Sequence, residues 1–231
     1  DNVDQTIYDR NLNELIPEAV AAQVDIDFNF EFVKVQTIIA RTKLLRLAHT
    51  FDGKGCHNHK QADLCTDGHC IDLVPKDELK LRWGEDFDYR WNKILRAMKE
   101  TEYLIVSYNN KIIEPMFHLT CGGSTNNSES VYKNKVVYLR KVLCNYCEES
   151  PYYNRRISLD VEDIENALRM HFNPLTPTRG FVIFDILKER DGEGDEEVGG
   201  IKVGESVITG VKFCVKLGVD SPKFGFKPSI I

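Results

Sequence analysis

A loop at residues 55–70 is rich in side chains that bind soft or borderline metal ions. Its thiols and imidazoles belong to six residues: Cys56, His57, His59, Cys65, His69 and Cys70. Such donors suit Zn²⁺, which takes four ligands in tetrahedral geometry, whereas the carboxylates of Asp63 and Asp67 suit Mg²⁺ or Ca²⁺ better. Because donors are in surplus, the loop favours a closed structural zinc site. The alternative is a disulfide with bystander histidines in an exported protein.

A second stretch with chemical potential is FHLTCGGSTNNSE, residues 117–129. A predicted strand ends there in two glycines followed by small polar residues, and such a turn lets the backbone approach a ligand closely. His118 and Cys121 could form a base and a thiol nucleophile, but their three-residue separation in a strand predicts side chains on opposite faces. The remaining cysteines, Cys144, Cys147 and Cys214, are scattered, and the sequence does not fix their redox state.

Cleavage of a glycosidic bond is a third chemistry open to this chain. It requires a carboxylic acid whose pKa is raised by a partly apolar site, so that it can protonate the leaving oxygen. The 36 acidic residues offer too many candidates for the composition to select one. Arg41 lies in the middle of a mostly apolar predicted helix, where it is either a surface charge or a buried organiser that needs an anion or a ring of carbonyls.

Hydrophobic periodicity predicts the helices that carry these residues. The first covers residues 31–47, with Asn29 as its N-cap and an apolar face formed by Phe32, Val35, Ile38, Ile39 and Leu45. The second covers residues 86–99. The third covers residues 160–170, with Asp160 as its cap.

Predicted strands alternate with these helices. Residues 103–108 and 111–119 flank Asn109-Asn110, a pair that tolerates positive φ and suits a tight hairpin turn. Further strands are predicted at residues 181–187, 201–203 and 206–217, with the acidic, glycine-rich run 190–200 as a solvated loop. Because no strict strand–helix–strand rhythm is present, the expected fold class is α+β with antiparallel strands.

Composition and charge exclude two classes of partner. The 231 residues are 42% hydrophobic and carry a net charge of −6, without the Lys/Arg block that tracks a phosphate backbone, so a nucleic-acid partner is not expected. No apolar stretch approaches the roughly 20 residues of a membrane helix. The chain begins at Asp1 without a leader, and we expect that an anchor or signal preceded it in the native protein.

Three segments together resemble the stage II sporulation protein D (SpoIID) family of peptidoglycan lytic transglycosylases. EFVKVQTIIARTKLL at residues 31–45 is similar to the family helix EALKAQAVAARTYAL, and HLTCGGST at residues 118–125 is similar to HSTCGGHT, with Tyr132 following. Residues 138–147 resemble the family segment that begins with Tyr-Leu and ends near a cysteine. The ending VKFCVKLGVDSPKFGF also looks like the family's, so the resemblance covers residues 7–226.

The resemblance implies a single catalytic domain, residues 1–231, with two lobes around a glycan-binding cleft. Such enzymes cut between N-acetylmuramic acid and N-acetylglucosamine without water and leave 1,6-anhydro-N-acetylmuramic ends. They need no cofactor for catalysis and prefer peptide-free strands. The implied partners are the amidase SpoIIP and the membrane protein SpoIIM during forespore engulfment. The implied location is extracytoplasmic, on the engulfing mother-cell membrane, through an N-terminal helix that is absent here.

The chain departs from the family at the catalytic position. The family's glutamate lies eight residues before the glutamate that opens the helix motif, and eight residues before Glu31 stands Gln23. A glutamine cannot cycle a proton. We interpret Gln23 as an engineered Glu→Gln substitution; the alternatives are a natural inactive member, or a shifted alignment in which Asp25 or Glu18 takes the role.

The same residue-by-residue transfer implies further site residues. Substrate binding or site support falls to Arg41, His118, Thr120, Cys121, Gly122, Gly123 and Thr125. Clostridial members carry a similar His and Cys cluster thought to hold zinc, which implies His59, Cys65, His69 and Cys70 as structural ligands, with Cys56 as the competitor. Three function classes remain open: a transglycosylase weakened by Gln23, a non-catalytic glycan-binding scaffold, and a thiol hydrolase.

Overall fold

The computed structural model describes residues 6–66, 69–121, 123–129, 134–150, 153, 160–169, 184–190, 196–203, 206–209, 212–213 and 216. The chain divides into two compact units, Asp1–Phe117 and His118–Ile231, and each is described by itself. The described helices are α1 (Leu12–Gln23), α2 (Phe30–Leu47), α3 (Lys76–Trp83), α4 (Phe87–Glu100) and α5 (Val161–Leu168). With short antiparallel strands beside them, they confirm the α+β class. The two-lobe cleft stays a prediction, as does the single-domain assignment.

The helices α2 and α4 lie where the periodicity predicts them. The Asn29 side chain accepts a hydrogen bond from the Glu31 backbone N–H at 2.9 Å, which confirms the predicted N-cap of α2. The predicted third helix is shorter than expected, because Arg169 adopts a left-handed φ of 56° just after Leu168.

The buried face of α2 differs from the predicted apolar stripe. Val35 is half exposed, whereas the polar residues Gln36, Thr37 and Thr42 are buried. The two threonines tolerate burial because each hydroxyl donates to the carbonyl four residues earlier, Thr37 to Val33 at 2.8 Å and Thr42 to Ile38 at 2.6 Å. Burial of this helix therefore follows its tertiary contacts rather than its residue polarity.

Two helices, α1 and α3, were not predicted. Pro17 interrupts the helical pattern of α1, since proline removes a backbone donor, yet the helix continues to Gln23. Asn11 caps it by accepting from the Asn13 N–H at 2.9 Å. Tertiary packing outweighs the weak local signal: helices α1, α2 and α4 and the residues between them contribute one apolar core. Its buried members are Ile16, Ala19, Val20, Val24, Ile26, Val33, Ala40, Leu44, Ile71, Ile94 and Ala97.

A short hairpin follows α4. Strands β1 (Ser107–Tyr108) and β2 (Lys111–Ile112) pair antiparallel. Asn109 and Asn110 have φ of 49° and 59°, which confirms the predicted turn with two left-handed residues. The predicted strands 103–108 and 111–119 were too long, because Tyr103 is itself left-handed at φ 65° and the pairing of β2 with β1 ends at Ile112.

The carboxyl-terminal strands form an antiparallel meander in which β3 (Phe184–Arg190) pairs with β4 (Glu196–Val203), and β4 pairs with β5 (Ser206–Ile208). The prediction of a loop at residues 190–200 was partly wrong, because its second half belongs to β4. The acidic side chains do not prevent a strand there, since the hydrogen bonds between strands join backbone groups. The predicted strand 206–217 ends at Ile208, and the Phe213 N–H donates to the Thr209 carbonyl in a helical turn. No helix in the described part of the chain combines the length and apolarity needed to cross a membrane.

Candidate functional site

Gln23, at the predicted catalytic position, is the last residue of α1. The chain leaves the helix at Val24, whose N–H donates to the Val20 carbonyl at 3.2 Å. The Gln23 Oε1 atom is buried, and among the described residues it has no hydrogen-bond partner. A buried acceptor without a donor is costly, of order 1–3 kcal/mol, and in native proteins such an atom calls for an explanation.

Glu18, an alternative catalytic candidate, is fixed in a structural role. It is 3% exposed, and the guanidinium of Arg10 contacts both carboxylate oxygens at 2.8 and 3.1 Å. The backbone N–H of Lys76 donates to Glu18 Oε1 at 3.1 Å. The hydrogen bond with Glu18 in turn raises the pKa of Arg10. Glu18 thus joins α1 to the start of α3, and its oxygens are engaged within the fold.

The loop after Gln23 is held to α4. Asp25, the other alternative, is exposed and its carboxylate accepts from the Asp27 N–H at 3.0 Å. Lys93 donates to the carbonyls of Ile26 and Phe28, both at 2.7 Å. Residue 23 therefore lies between two anchored parts of the chain: Glu18, held by Arg10 and Lys76, and the loop whose carbonyls accept from Lys93.

Arg41 has the ring of carbonyls that a buried arginine requires. Its Nη1 donates to the carbonyls of Thr101 at 2.8 Å and Leu104 at 3.0 Å, and its Nη2 to that of Met98 at 3.4 Å. Burial lowers the pKa of this guanidinium, which reflects the cost of keeping a cation 7% exposed. These contacts cap the carboxyl-terminal end of α4 and give Arg41 a supporting role there. Contact with substrate stays a prediction.

The loop after α2 gathers a compact metal-ligand cluster. The ligand atoms of Cys56, Cys65, His69 and Cys70 all lie within 4.8 Å of one another. The Cys56 Sγ is 3.2 Å from His69 Nε2, and the Cys65 Sγ is 3.4 Å from His69 Nδ1. Three of the four predicted ligands, Cys65, His69 and Cys70, therefore lie together. The fourth member of the cluster is Cys56 and not the predicted His59. We call this group the first thiol cluster.

The donor set of the first thiol cluster fits zinc. Three sulfurs and one imidazole nitrogen form a tetrahedral set that recurs in structural zinc sites. With Zn–S of about 2.3 Å and Zn–N of about 2.05 Å, tetrahedral geometry separates S and N by roughly 3.6 Å. The observed separations of 3.2 to 3.6 Å lie near this value. The three cysteines are buried, whereas His69 is exposed at the rim.

Backbone geometry explains why Cys56, and not His59, joins the cluster. Gly55 adopts φ 66°, and a Cβ there would lie 2.9 Å from the Ala62 carbonyl oxygen and 2.4 Å from the His49 ring. This tight passage lets the Cys56 N–H donate to the Ala62 carbonyl at 2.9 Å. His59 supplies its backbone instead, since its N–H donates to the Cys56 sulfur at 3.2 Å.

The same contacts set the charge of the Cys56 thiol. Burial opposes ionisation, but hydrogen bonds from the His59 and Asn58 backbone and the His69 ring outweigh it and lower the pKa of Cys56 to about 6. Burial raises the pKa of the neighbouring Cys70. One sulfur is therefore prepared for the thiolate form that metals bind.

The second unit contains the other predicted site residues. Thr120 shares a 2.5 Å hydrogen bond with Ser150, and His118 is exposed. Gly123 adopts φ 104°, which favours glycine, and its carbonyl accepts from the Cys144 N–H at 2.8 Å. Thr125 bonds with Val142 in both directions: its N–H donates to the Val142 carbonyl, and its hydroxyl accepts from the Val142 N–H. Gly122 lies outside the described residues.

Cys121 is not an activated nucleophile. Burial first, and then the neighbouring thiols of Cys147 and Cys144, raise its pKa to about 11, so the thiol is uncharged at neutral pH. These three cysteines form a second thiol cluster with sulfurs within 4.8 Å of one another. Sequence reasoning treated them as scattered. The C-x-x-C spacing of Cys144 and Cys147 was the available signal, since it matches half of many zinc sites.

Comparison with known proteins finds similarity to one family. The profile of the SpoIID family, described as stage II sporulation protein, matches residues 2–108. Stage II sporulation protein D of Bacillus amyloliquefaciens is 28% identical over 158 residues, which are 68% of this chain and 45% of that protein. The protein of the same name from Bacillus subtilis (strain 168) is 25% identical over 224 residues, 96% of this chain and 62% of the relative. The chain thus spans about half of one relative and three fifths of the other. Over residues 2–108 it is similar to the SpoIID family of stage II sporulation proteins.

Proposed function

We propose that this chain is the catalytic part of a peptidoglycan lytic transglycosylase that acts in forespore engulfment and is inactivated here by Gln23. The similarity to stage II sporulation protein D and the motif resemblance support the reaction class. The observation that carries the proposal is the buried Gln23 Oε1 without a hydrogen-bond donor in the described chain. A glutamic acid of similar shape would have one oxygen out of water, and this burial favours its protonated form.

The reaction that we propose for a glutamate at position 23 uses one carboxyl group twice. As an acid it protonates the glycosidic oxygen while the bond from that oxygen to the anomeric carbon breaks. As a carboxylate it then takes the proton of the C6 hydroxyl, whose oxygen forms a bond with the anomeric carbon. The proton count is restored and no water is consumed. An amide at this position is too weak an acid to protonate the glycosidic oxygen and too weak a base to take the proton of the C6 hydroxyl, so this chain binds without turnover.

The other residues support this chemistry. We propose that the contacts of Glu18 and Lys93 hold residue 23 in position, and that the turn containing Thr120, Gly123 and Thr125 contacts the glycan. The substrate is a glycan strand freed of stem peptides. SpoIIP and SpoIIM are the proposed partners, and the proposed location is extracytoplasmic on the engulfing mother-cell membrane, with an anchoring helix ahead of this chain.

The decisive experiment compares this chain with its Gln23→Glu variant on peptide-free glycan strands. Mass spectrometry of the products measures 1,6-anhydro-N-acetylmuramic ends. We expect such ends only from Gln23→Glu. A Gln23→Asp variant is the matched control, because it restores the charge but draws the carboxyl group back by one methylene. We expect Gln23→Asp to cleave glycan at least about 100-fold more slowly than Gln23→Glu, because general acid–base catalysis depends on the position of the carboxyl group.

Two further outcomes would redirect the assignment. Cleavage by the unaltered chain would exclude position 23, and Asp25→Asn would then be tested, since Asp25 is the exposed alternative. Absence of cleavage by a folded Gln23→Glu variant would contradict the proposed transglycosylase activity. The second candidate, a glycan-binding scaffold without catalysis, is favoured by the glutamine itself. It predicts equal glycan affinity for both forms in a pull-down with peptidoglycan and no product from either.

We also propose that the first thiol cluster holds a structural zinc ion, as in the clostridial-type members. The metal would cross-link residues 56–70 after α2. Elemental analysis should find about one equivalent of zinc fewer in Cys56→Ser than in the unaltered chain and no loss in His59→Ala, because the ring of His59 is not among the clustered ligands. Loss of zinc in His59→Ala with retention in Cys56→Ser would restore the ligand set implied by the resemblance.

A further inference from the structure

The second thiol cluster lies in a segment with little apolar core. Among the described residues of 118–150, Cys121 is the only buried apolar side chain, accompanied by Ser124 and Ser128. Leu143, just before the C-x-x-C turn, is 80% exposed, and Tyr146, within it, is 93% exposed. Segments that cannot bury enough apolar surface depend on cross-links such as disulfides or metals. The segment therefore needs a cross-link, and the three thiols lie where they can form one.

The spacing of the sulfurs matches a metal site. The Cys121 Sγ and the Cys144 Sγ each lie 3.6 Å from the Cys147 Sγ. Two thiolates on one tetrahedral Zn²⁺, at about 2.3 Å each, are roughly 3.8 Å apart. A disulfide would join two of the sulfurs at about 2.05 Å and leave the third without a bond. The Cys147 sulfur instead lies at equal distance from the other two sulfurs, as expected when all three bind one metal ion.

The local backbone repeats that of the first thiol cluster. At Cys144 the N–H groups of Tyr146 and Cys147, two and three residues later, hydrogen bond to the sulfur. At Cys56 the N–H groups of Asn58 and His59 do the same. Such donors lower the negative charge on a sulfur bound to a metal and orient its lone pairs. The two turns are unrelated in sequence beyond the first cysteine, so the match reflects the same physical requirement.

We propose that Cys121, Cys144 and Cys147 form a second zinc site of three thiolates. Binding displaces the three thiol protons and leaves a complex of charge −1. No fourth Cys, His, Asp or Glu donor joins the group among the residues that the structure describes. The ion ties the residues after Thr120 to the C-x-x-C turn, where the Cys144 N–H already donates a hydrogen bond to the Gly123 carbonyl. This inference does not depend on the proposed activity.

The test is a count of zinc in the full chain. The protein is purified with a phosphine reductant, stripped with a chelator, reloaded with Zn²⁺ and desalted, and its metal content is measured by elemental analysis. We expect about two equivalents in the unaltered chain, and about one in either Cys147→Ser or Cys65→Ser, because each substitution opens one of the two clusters. Asn145→Ala is the matched control: it changes the same turn without a ligand and should keep both.

A second measurement avoids reliance on variants that could unfold. Titration of the stripped, unaltered chain with Co²⁺ should produce sulfur-to-cobalt charge-transfer absorption that rises until about two equivalents are bound. Saturation at one equivalent would overturn the proposal, as would a zinc content that Cys147→Ser leaves unchanged. A Cys121–Cys147 disulfide, found by peptide mapping of protein prepared without reductant and accompanied by only one zinc, would also overturn it and identify a covalent staple instead.

Discussion

The helical residues 12–100 and the segment 118–150 are stabilised by different means. The helices share an apolar core in which Ile16, Val33 and Ile94 are at most 1% exposed. The second segment, in its described part, is held by hydrogen bonds between turns and by a cluster of thiols. Apolar burial tolerates small shifts of its members, whereas a hydrogen bond or a ligand set requires each atom in place. The two regions should therefore respond to different substitutions.

The largest effect is expected from removal of core volume. Ile94→Ala should lower the free energy of unfolding by about 3 kcal/mol, because it deletes buried methyl groups and leaves a cavity. Leu143→Ala removes an equally large apolar side chain that is 80% exposed, and should change stability by less than about 0.5 kcal/mol. Urea unfolding followed by circular dichroism measures the first, and hydrogen exchange of peptides from residues 134–150 measures the second. Equal effects would show that both regions have an apolar core.

A buried ion pair should give the next largest effect. Glu18→Gln keeps the side-chain shape but removes the buried one of the two carboxylates that pair with the Arg10 guanidinium, and should cost about 2 kcal/mol. Glu14→Gln is the matched control, since its carboxylate is 3.8 Å from the same Arg10 but 63% exposed. That change should cost less than about 0.5 kcal/mol in the same urea titration. A similar loss in both variants would contradict the structural role given to Glu18.

A smaller effect is expected in the segment that lacks an apolar core. Ser128 is 3% exposed, and its hydroxyl accepts a hydrogen bond from the Val136 N–H at 2.7 Å. Ser128→Ala should cost about 1 kcal/mol, because the amide of Val136 is left without its acceptor. Amide exchange at Val136 should become several times faster. The control Arg140→Ala breaks only the exposed pair with Glu129 and should leave that exchange rate unchanged.

The smallest effect lies in the hairpin between the two regions. Asn110 has φ 59°, so Asn110→Gly should stabilise the turn by a few tenths of a kcal/mol, about 0.3. The same substitution at Asn92, exposed inside α4, should destabilise by a similar amount, because glycine is a poorer helix residue than asparagine. Thermal unfolding of the two variants measures the opposite signs. A loss of stability in both would contradict the left-handed turn.

Local patterns predicted the elements whose residues agree with their own neighbours. The helix α2 with its Asn29 cap, the helix α4 and the Asn109-Asn110 turn were all found where the sequence placed them. The helix α1 was missed because Pro17 weakens the local signal while burial in the core compensates for it. The C-x-x-C turn was missed because its partner Cys121 lies more than twenty residues earlier in the sequence.

The sequence by itself determined the kinds of chemistry available: six potential metal-binding side chains in one loop, a glutamine at the position to which the resemblance assigns catalysis, and a glycine turn. These depend on residue type and spacing alone. Only the tertiary structure decided that Cys56 clusters with Cys65, His69 and Cys70, that Glu18 is engaged by Arg10, and that the Gln23 oxygen is buried. Such outcomes depend on how the backbone returns on itself over many residues, at Gly55 for example. Short-range periodicity does not contain that information, because ligand choice and burial are set by distances between atoms far apart in sequence.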